Sequence, residues 1–268
     1  MDIATIIGLV LGISSIVVAY VLEGGSIAVL FQPTAAMIVF GGTIGSLILS
    51  FSIKEFLSLP AYFKILFKQQ NFDFLGTYEI LIKSAEKARR EGLLSLEQDL
   101  AAVTDGFLRQ GLQLVVDGTD PELTNTILEI EINAMESRHK IGISMLEAAG
   151  GYAPTMGIIG TVMGLIHVLG NLSDPNALGP AIAMAFLATL YGVGSANLVW
   201  LPMAGKLKNK DKREVQLRDL ILDGVLSIQA GENPSILKEK LKTHLGPALN
   251  KELNKGTPAD NRVTEDVA

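Results

Sequence analysis

The 22 Lys and Arg residues of this chain all lie within residues 53–142 and 205–268, and residues 1–52 and 143–204 contain none. The two stretches without basic residues hold four apolar segments, at 3–22, 34–51, 152–170 and 178–203. With a rise of about 1.5 Å per helical residue, each segment is about long enough to cross a hydrocarbon core ~30 Å thick. The sequence therefore predicts four transmembrane helices.

The basic stretches also predict an orientation, because Lys and Arg concentrate on the cytoplasmic side of a membrane. Both termini are then cytoplasmic, and only the short turns at 23–33 and 171–177 face outward. From about residue 246 the sequence is polar, and we expect disorder there. The chain should comprise a first hairpin of spans (1–52), a cytoplasmic helical domain (53–142), a second hairpin (143–204), and C-terminal cytoplasmic helices with the tail (205–268).

Composition excludes several classes of protein. The chain is 49% hydrophobic, with a mean hydropathy of +0.37, which is too apolar for a typical soluble domain. Its formal net charge of −6 argues against nucleic acid as a partner, since phosphate neutralisation needs a basic face. Cysteine is absent, which excludes disulfides and thiolate metal sites. The three histidines, at 139, 167 and 244, are scattered, and no catalytic cluster accompanies them, so we expect neither an enzyme, a cofactor nor a permanent metal.

The segments between and after the spans have helical patterns. Residues 78–91 place apolar side chains three and four apart among charged ones, and Gly92 should end that helix. Ser95 and Gln98 suggest a capping box for the next helix. Asp120 followed by Pro121 predicts the start of another, which should run toward the third span. No strand pattern of useful length appears outside the spans, so the predicted fold class is all-α.

The predicted spans contain no acidic or basic side chain except Asp2 and Glu23 at their ends. An ionised group at the centre of a bilayer costs at least ~2.5 kcal/mol, so such groups mark function where they occur. A carboxylate that binds or relays a cation must therefore come from another chain. Hydroxyl oxygens suit cations such as Na⁺, or they simply bond to helix carbonyls. The polar residues of the last two spans are Thr155, Thr161, Thr189, Tyr191, Ser195 and Asn197.

Small residues recur in the spans at spacings that let helix backbones approach closely. The pairs Gly8 with Gly12 and Gly41 with Gly45 occur in the first two spans, and Gly157, Gly160 and Gly164 occur in the third. They predict a tightly packed oligomer. Proline at the inner ends of the third and fourth spans, at positions 154 and 202, either allows a hinge or marks the end of a span.

Several motifs resemble one family. Residues 151–166 and 187–192 resemble the third and fourth spans of the flagellar motor stator A-subunit family (MotA/PomA, the motility protein A family). Residues 88–97 resemble its cytoplasmic loop, and residues 223–228 its last helix. The similarity covers about residues 1–245. The resemblance implies a homopentameric ring in the bacterial inner membrane, surrounding two copies of a B-subunit that each supply an intramembrane Asp.

In that family, ion passage past the Asp turns the ring, which pushes on the C-ring of the rotor. By resemblance, Arg89 and Glu97 bind the rotor switch protein, and Pro154 and Pro202 couple ion binding to movement. The resemblance makes Thr189 channel-facing, and Thr155 and Thr161 join it as ion-pathway candidates. Sodium-driven members resemble this chain in having threonine at position 161, whereas many proton-driven ones have alanine. We therefore favour transient Na⁺ near Thr161 and Thr189, with H⁺ as the alternative.

Other functions fit the sequence less well. The related energy-transducing family that powers outer-membrane transport has a similar pentamer-around-dimer plan but typically three spans. The first hairpin of two spans (3–22 and 34–51) and the loop that holds Arg89 and Glu97 therefore argue against that family. An autonomous four-span channel would need a selectivity filter or an intramembrane charge of its own, and the sequence offers neither.

Overall fold

The computed structural model describes residues 2–69, 72–170, 172, 175–247, 249–250 and 253, with the side chains at 175–177 left out. Every regular element within these residues is helical, which confirms the predicted fold class. The chain divides into two compact units. The first comprises Met1–Gln70 and Ser137–Asp211, and the second comprises Asn71–Glu136 and Lys212–Ala268.

Twelve α-helices occur in the described part of the chain. They are α1 (Ile3–Leu22), α2 (Pro33–Ala36), α3 (Gly42–Ser50), α4 (Ile53–Leu57), α5 (Leu59–Phe67), α6 (Phe74–Glu91), α7 (Glu97–Leu100), α8 (Gly106–Val116), α9 (Pro121–Gly170), α10 (Pro175–Ser195), α11 (Leu201–Gln229) and α12 (Pro234–Lys242). Among the described residues four helical stretches are long and apolar enough to cross a membrane, as predicted: Ile3–Leu22, Ile27–Ser50, Pro121–Gly170 and Leu178–Gln229.

The first helix has the predicted bounds. Asp2 Oδ1 accepts a hydrogen bond from the Thr5 amide at 3.3 Å, which satisfies one of the free N–H groups at the helix start. No residue of α1 is buried within this chain, and Leu22 is 81% exposed. So much uncovered apolar surface requires lipid or other chains around the helix.

The third span is the end of one long helix. Asp120 Oδ1 accepts from the Glu122 amide at 2.9 Å, and Pro121 begins α9, as predicted. The helix then continues for 50 residues through Pro154 to Gly170. The expected continuation of this charged helix toward the third span is therefore confirmed.

Within the described residues, two π-helical segments interrupt the apolar helices, at Met37–Gly41 and Ala196–Trp200. In the second segment the Leu201 amide donates to the Ala196 carbonyl, five residues back. Pro202 follows directly and has no N–H to donate. The segment thus widens the helix at the position where the regular hydrogen-bond pattern is broken, a feature that the sequence analysis did not predict. Such widened turns often mark functional sites.

The second unit has its own apolar core, built from α6, α8, α11, α12 and the first turns of α9. Its fully buried side chains include Leu81, Leu108, Leu112, Leu128, Leu220, Ile221 and Leu237. Gly92 ends α6 with φ = +86°, a conformation that favours glycine. The predicted capping box at Ser95 is wrong, because Ser95 lies inside a short 3₁₀ turn (Leu93–Leu96) and its hydroxyl donates to the Gly92 carbonyl at 2.6 Å.

The turn at 23–33 contains a 3₁₀ helix, Ile27–Leu30. The second predicted turn, at 171–177, lies largely outside the described residues. Most of the tail after residue 246 also lies outside them. Its expected disorder therefore stays a prediction.

Candidate functional site

The third and fourth predicted spans meet along a line of small residues, which we call the glycine seam (Gly157, Gly160, Gly164, Ala185, Ala188 and Gly192). A Cβ atom added at Gly192 would lie 2.5 Å from the Ala153 carbonyl oxygen and 3.0 Å from the Gly157 Cα. One added at Gly157 would lie 2.9 Å from the Ala188 carbonyl oxygen. Backbone therefore contacts backbone here, and neither position has room for a larger residue.

The seam continues toward Gly170. Added Cβ atoms at Gly160 and Gly164 would lie 2.5 Å and 2.7 Å from the Cβ atoms of Ala188 and Ala185, respectively. The close approach predicted for the third-span glycines thus occurs between helices of one chain. Gly41 and Gly45 in the second span have open space beside them.

Thr161 and Thr189 face each other across the glycine seam. Their Oγ1 atoms share a hydrogen bond, and both side chains are half-buried. Thr161 Oγ1 also lies 3.1 Å from the Gly157 carbonyl oxygen and 3.0 Å from the Ala185 carbonyl oxygen. Two hydroxyls and two carbonyls from α9 and α10 thus place four oxygen atoms close together.

This oxygen group has the chemistry of a weak cation site. Hydroxyl and carbonyl oxygens are ligands for hard cations, but they supply no net negative charge. No described group of three or more His, Asp or Glu side chains is placed to hold a metal ion. The hydrogen-bond partners of Thr161 among the described residues are carbonyls and a hydroxyl, and they include no carboxylate.

Thr155, the third ion-pathway candidate, does not join this group. Its side chain is exposed, and its hydroxyl donates to the Tyr152 carbonyl of its own helix at 2.7 Å. It shares no hydrogen bond with Thr161 or Thr189. The structure thus brings two of the three predicted hydroxyls together.

The two predicted hinge prolines have different surroundings. Pro154 borders the glycine seam, because its Cα would be 3.2 Å from a Cβ added at Gly192. Pro202 is exposed and follows the π-helical segment Ala196–Trp200. A bend at Pro154 would therefore move α9 against α10, whereas the backbone at Pro202 is already irregular.

Tyr191 has a structural role that the sequence analysis missed. Its hydroxyl donates to the Leu30 carbonyl and accepts from the Gln32 amide at 2.9 Å. Its ring stacks on Phe40, with the ring centroids 6.4 Å apart. The side chain thus holds the start of α2 against α10. A polar aromatic residue in an apolar span is the only sequence signal of this contact.

The predicted rotor-binding residues lie in the second unit, where Arg89 is in the last turn of α6 and Glu97 begins α7. Both side chains are exposed, and neither forms an ion pair with any described residue. Neighbouring charges do pair, as in Lys87 with Asp99 at 2.8 Å. Arg89 and Glu97 therefore remain accessible to another protein.

Two histidines pair with carboxylates in the described residues. His139 Nδ1 lies 2.7 Å from Asp211 Oδ1, and His244 Nε2 lies 2.7 Å from Asp223 Oδ2. Near the second pair, burial raises the pKa of the Asp219 carboxyl above its usual range, and Asp223 adds to the effect while His244 opposes it. These contacts lie outside the predicted spans and have no oxygen group comparable to that at Thr161.

Family models match most of the chain. A model described as the MotA/TolQ/ExbB proton channel family matches residues 100–220, and one described as Motility protein A N-terminal matches residues 6–92. Among curated relatives, Motility protein A of Bacillus subtilis is 41% identical, with 91% of each chain covered. Chemotaxis protein PomA of Vibrio alginolyticus is 38% identical, with 91% of this chain and 96% of PomA covered.

Solved structures agree with these sequence matches. The chain superposes on a subunit of the flagellar MotAB stator complex from Bacillus subtilis with a TM-score of 0.84, at 37% identity over 95% of this chain and 100% of the other. A chain in the structure of C. jejuni MotAB gives a TM-score of 0.86, at 31% identity over 92% of this chain and 97% of the other.

Proposed function

The chain belongs to the motility protein A family, and on that basis we propose that it is the A-subunit of a flagellar stator that couples inward cation flow to torque on the rotor. The observation that carries this proposal is the combination of charge-free spans with an oxygen group at Thr161 and Thr189. Such a pair of helices can guide a cation, but it cannot balance the charge of one.

The missing charge supports a partner subunit. We propose that two copies of a B-subunit lie within a pentamer of this chain and that each supplies an intramembrane Asp beside α9 and α10. Many large apolar side chains on these helices are uncovered within the single chain, including Ile158, Val162, Ile166, Phe186 and Val193. Apolar transmembrane helices of another subunit or a neighbouring copy suit this surface.

We propose Na⁺ as the transported ion, with H⁺ as the alternative. A Na⁺ ion that loses its water needs several oxygen ligands. The hydroxyls of Thr161 and Thr189 and the carbonyls of Gly157 and Ala185 supply four of them. A proton needs only one hydrogen-bonded acceptor or water. The number of oxygens therefore favours Na⁺, and no cofactor is needed.

Movement would reach the rotor through the second unit. The exposed and unpaired charges of Arg89 and Glu97 suit a complementary charged surface on the C-ring switch protein. Pro154 and Pro202 are the positions where ion binding would bend the spans. The bias of basic residues supports an inner-membrane protein with both termini in the cytoplasm.

Ion flux in liposomes tests the proposal. The purified chain alone should conduct no cation selectively, whereas co-reconstitution with a one-span subunit that has an intramembrane Asp should produce flux. Changing that Asp to Asn is the matched control and should remove the flux. Selective conductance by this chain alone would overturn the proposal.

A motor that powers outer-membrane transport is the second candidate, since one family model also includes TolQ and ExbB. The match of residues 6–92 to the motility protein N-terminal model favours the flagellar function. Deletion of the gene should abolish swimming and leave energy-dependent outer-membrane uptake unchanged.

A further inference from the structure

A cavity of about 310 Å³ lies in the first unit beside Pro202. It is formed between the beginning of α1 and the helix that contains the π-helical segment Ala196–Trp200. Its lining includes Thr5, Gly8, Leu9, Leu198, Pro202 and Lys206. None of these residues belongs to the Thr161 oxygen group or to the rotor-binding loop, and only Pro202, as a proposed hinge, has a role in the proposed function.

The cavity is open because a side chain is missing from one wall. A Cβ atom added at Gly8 would meet nothing within 4 Å, although α1 and the helix opposite are in contact at Gly12, where an added Cβ would lie 3.0 Å from the Leu198 side chain. Most of the lining is aliphatic, and an apolar recess of this kind does not hold water well. Within a membrane, an acyl chain is the group that would fill it.

A positively charged group lies at the end of this recess. Lys206 Nζ is 2.6 Å from Asp2 Oδ2 and also contacts the Thr5 hydroxyl. The hydrogen bond from Lys206 lowers the pKa of Asp2, so the Asp2 carboxyl is ionised at neutral pH. An ammonium has three donors, and these two contacts leave one for a further acceptor.

A second ammonium adds to the positive charge. Lys210 Nζ lies 2.6 Å from the Ile65 carbonyl oxygen and 2.7 Å from the Lys68 carbonyl oxygen, at the end of α5. Lys206 and Lys210 are four residues apart on α11, so they lie on the same face of the helix. Burial lowers the pKa of Lys210, and the charge of Lys206 lowers it further. Two ammoniums against the single carboxylate of Asp2 favour an anion at this end of the cavity.

We propose that the cavity holds one acyl chain of an anionic phospholipid, with the phosphate of its headgroup at Lys206. The recess at Gly8 takes the aliphatic chain, and the free donor of Lys206 takes a phosphate oxygen. Under the predicted orientation this lipid belongs to the cytoplasmic leaflet. It contacts Pro202, so its presence stiffens the turn at which the helix is irregular.

Native mass spectrometry of the full-length complex tests this site. The protein is purified in mild detergent and incubated with equal amounts of phosphatidylglycerol and phosphatidylcholine that have identical acyl chains. We expect retained phosphatidylglycerol to exceed phosphatidylcholine about fivefold, the ratio for ~1 kcal/mol from one basic side chain near an anionic group. Equal retention of the two lipids would overturn the proposal.

Three variants locate the lipid. Gly8→Leu fills the recess and should remove about one retained lipid per chain, the single acyl site that a recess of this size provides. Val10→Phe adds as many carbon atoms to α1 at a side chain that is 59% exposed and outside the cavity, and it should retain lipid like the wild type. Lys206→Gln should keep the lipid but lose the preference for phosphatidylglycerol.

Other outcomes are equally decisive. Wild-type retention in Gly8→Leu would place the lipid elsewhere, and equal loss in Val10→Phe would mean that the effect is not specific to the cavity. The absence of any retained lipid in the wild type would indicate that a second copy of the chain fills the space. The fluorescence of Trp200, the single tryptophan, checks that each variant is folded. If Gly8→Leu does not assemble, the lipid preference of Lys206→Gln tests the proposal instead. Because lipid retention is measured without ion flux, this test is independent of the proposed function.

Discussion

Thr161 of α9 and Thr189 of α10 are hydrogen-bonded to each other across the glycine seam. Their pairing depends on the backbone contact between Gly157 and Gly192, because a larger residue at either position would separate the helices that hold the two hydroxyls. The geometry of the oxygen group thus depends on two glycines, which let the helices approach closely.

The first prediction concerns the ion. In Thr161→Ala, one hydroxyl ligand is lost, and we expect the Na⁺ concentration for half-maximal swimming speed to rise about fivefold, as for a lost hydrogen bond of ~1 kcal/mol. This concentration is measured by recording swimming speed as a function of Na⁺ concentration at constant pH. Thr155→Ala is the control and should leave the curve nearly unchanged, because Thr155 bonds only to its own helix. If the wild type does not respond to Na⁺, the transported ion is H⁺.

The second prediction concerns the glycine seam. Gly192→Ala places a Cβ atom 2.5 Å from the Ala153 carbonyl oxygen, so it should destabilise the chain by about 1–3 kcal/mol and reduce ion flux. Thermal unfolding of the detergent-solubilised protein measures the loss. Gly194→Ala, two residues away, meets nothing within 4 Å and should be neutral or stabilising. Equal Tm values for the two variants would show that the seam can relax.

The third prediction concerns the rotor. Arg89→Glu or Glu97→Lys should strongly reduce swimming, because like charges across an interface cost several kcal/mol. Stator assembly and Tm should not change, since exposed charges contribute little to stability. Lys83→Glu is the control, at a lysine on the same helix whose side chain is 77% exposed. Normal swimming in both reversal variants would remove these residues from the contact, and a compensating reversal on the rotor should restore motility to each.

The fourth prediction concerns pH. Burial raises the pKa of Asp219 in the folded protein, so ionisation of Asp219 opposes folding. The protonated carboxyl of Asp219 is compatible with burial, so its contribution to the free energy of unfolding is fully present below the unfolded pKa of about 3.9. This contribution is lost as the pH rises through the raised pKa of the folded state. Asp219→Asn should therefore have a higher Tm than the wild type at pH 7, with the difference absent below about pH 4. Glu129→Gln, at an exposed position of α9, should show no such difference. A constant difference at all pH values would mean that the charge of Asp219 is not responsible.

Features that depend on neighbouring residues in the sequence could be predicted. The bounds of α1 follow from a mostly apolar run without charged residues between Asp2 and Glu23. Gly92 was expected to end α6, and only glycine readily adopts its φ of +86°. The sequence also indicates Thr161 and Thr189 as ion-pathway residues, although this interpretation rests on family resemblance.

Features that depend on the register between two helices could not be predicted. The contact of Tyr191 with Leu30 joins residues 161 positions apart, and nothing local in the sequence specifies it. Gly192 contacts Gly157 only because α10 packs against α9 in one particular register along the helix axes. Ser95 has a good capping sequence, but its chain segment forms a 3₁₀ turn between buried Leu96 and the end of α6, and this packing prevents the cap.

The absence of side-chain carbons at Gly157 and Gly192 limits how this pair of helices can evolve. Every other amino acid adds at least one carbon, so any substitution at these two positions increases the distance between α9 and α10, and none can decrease it. Natural variants can therefore exchange the groups that border the Thr161–Thr189 pair, but they cannot bring α9 and α10 closer together at these two glycines.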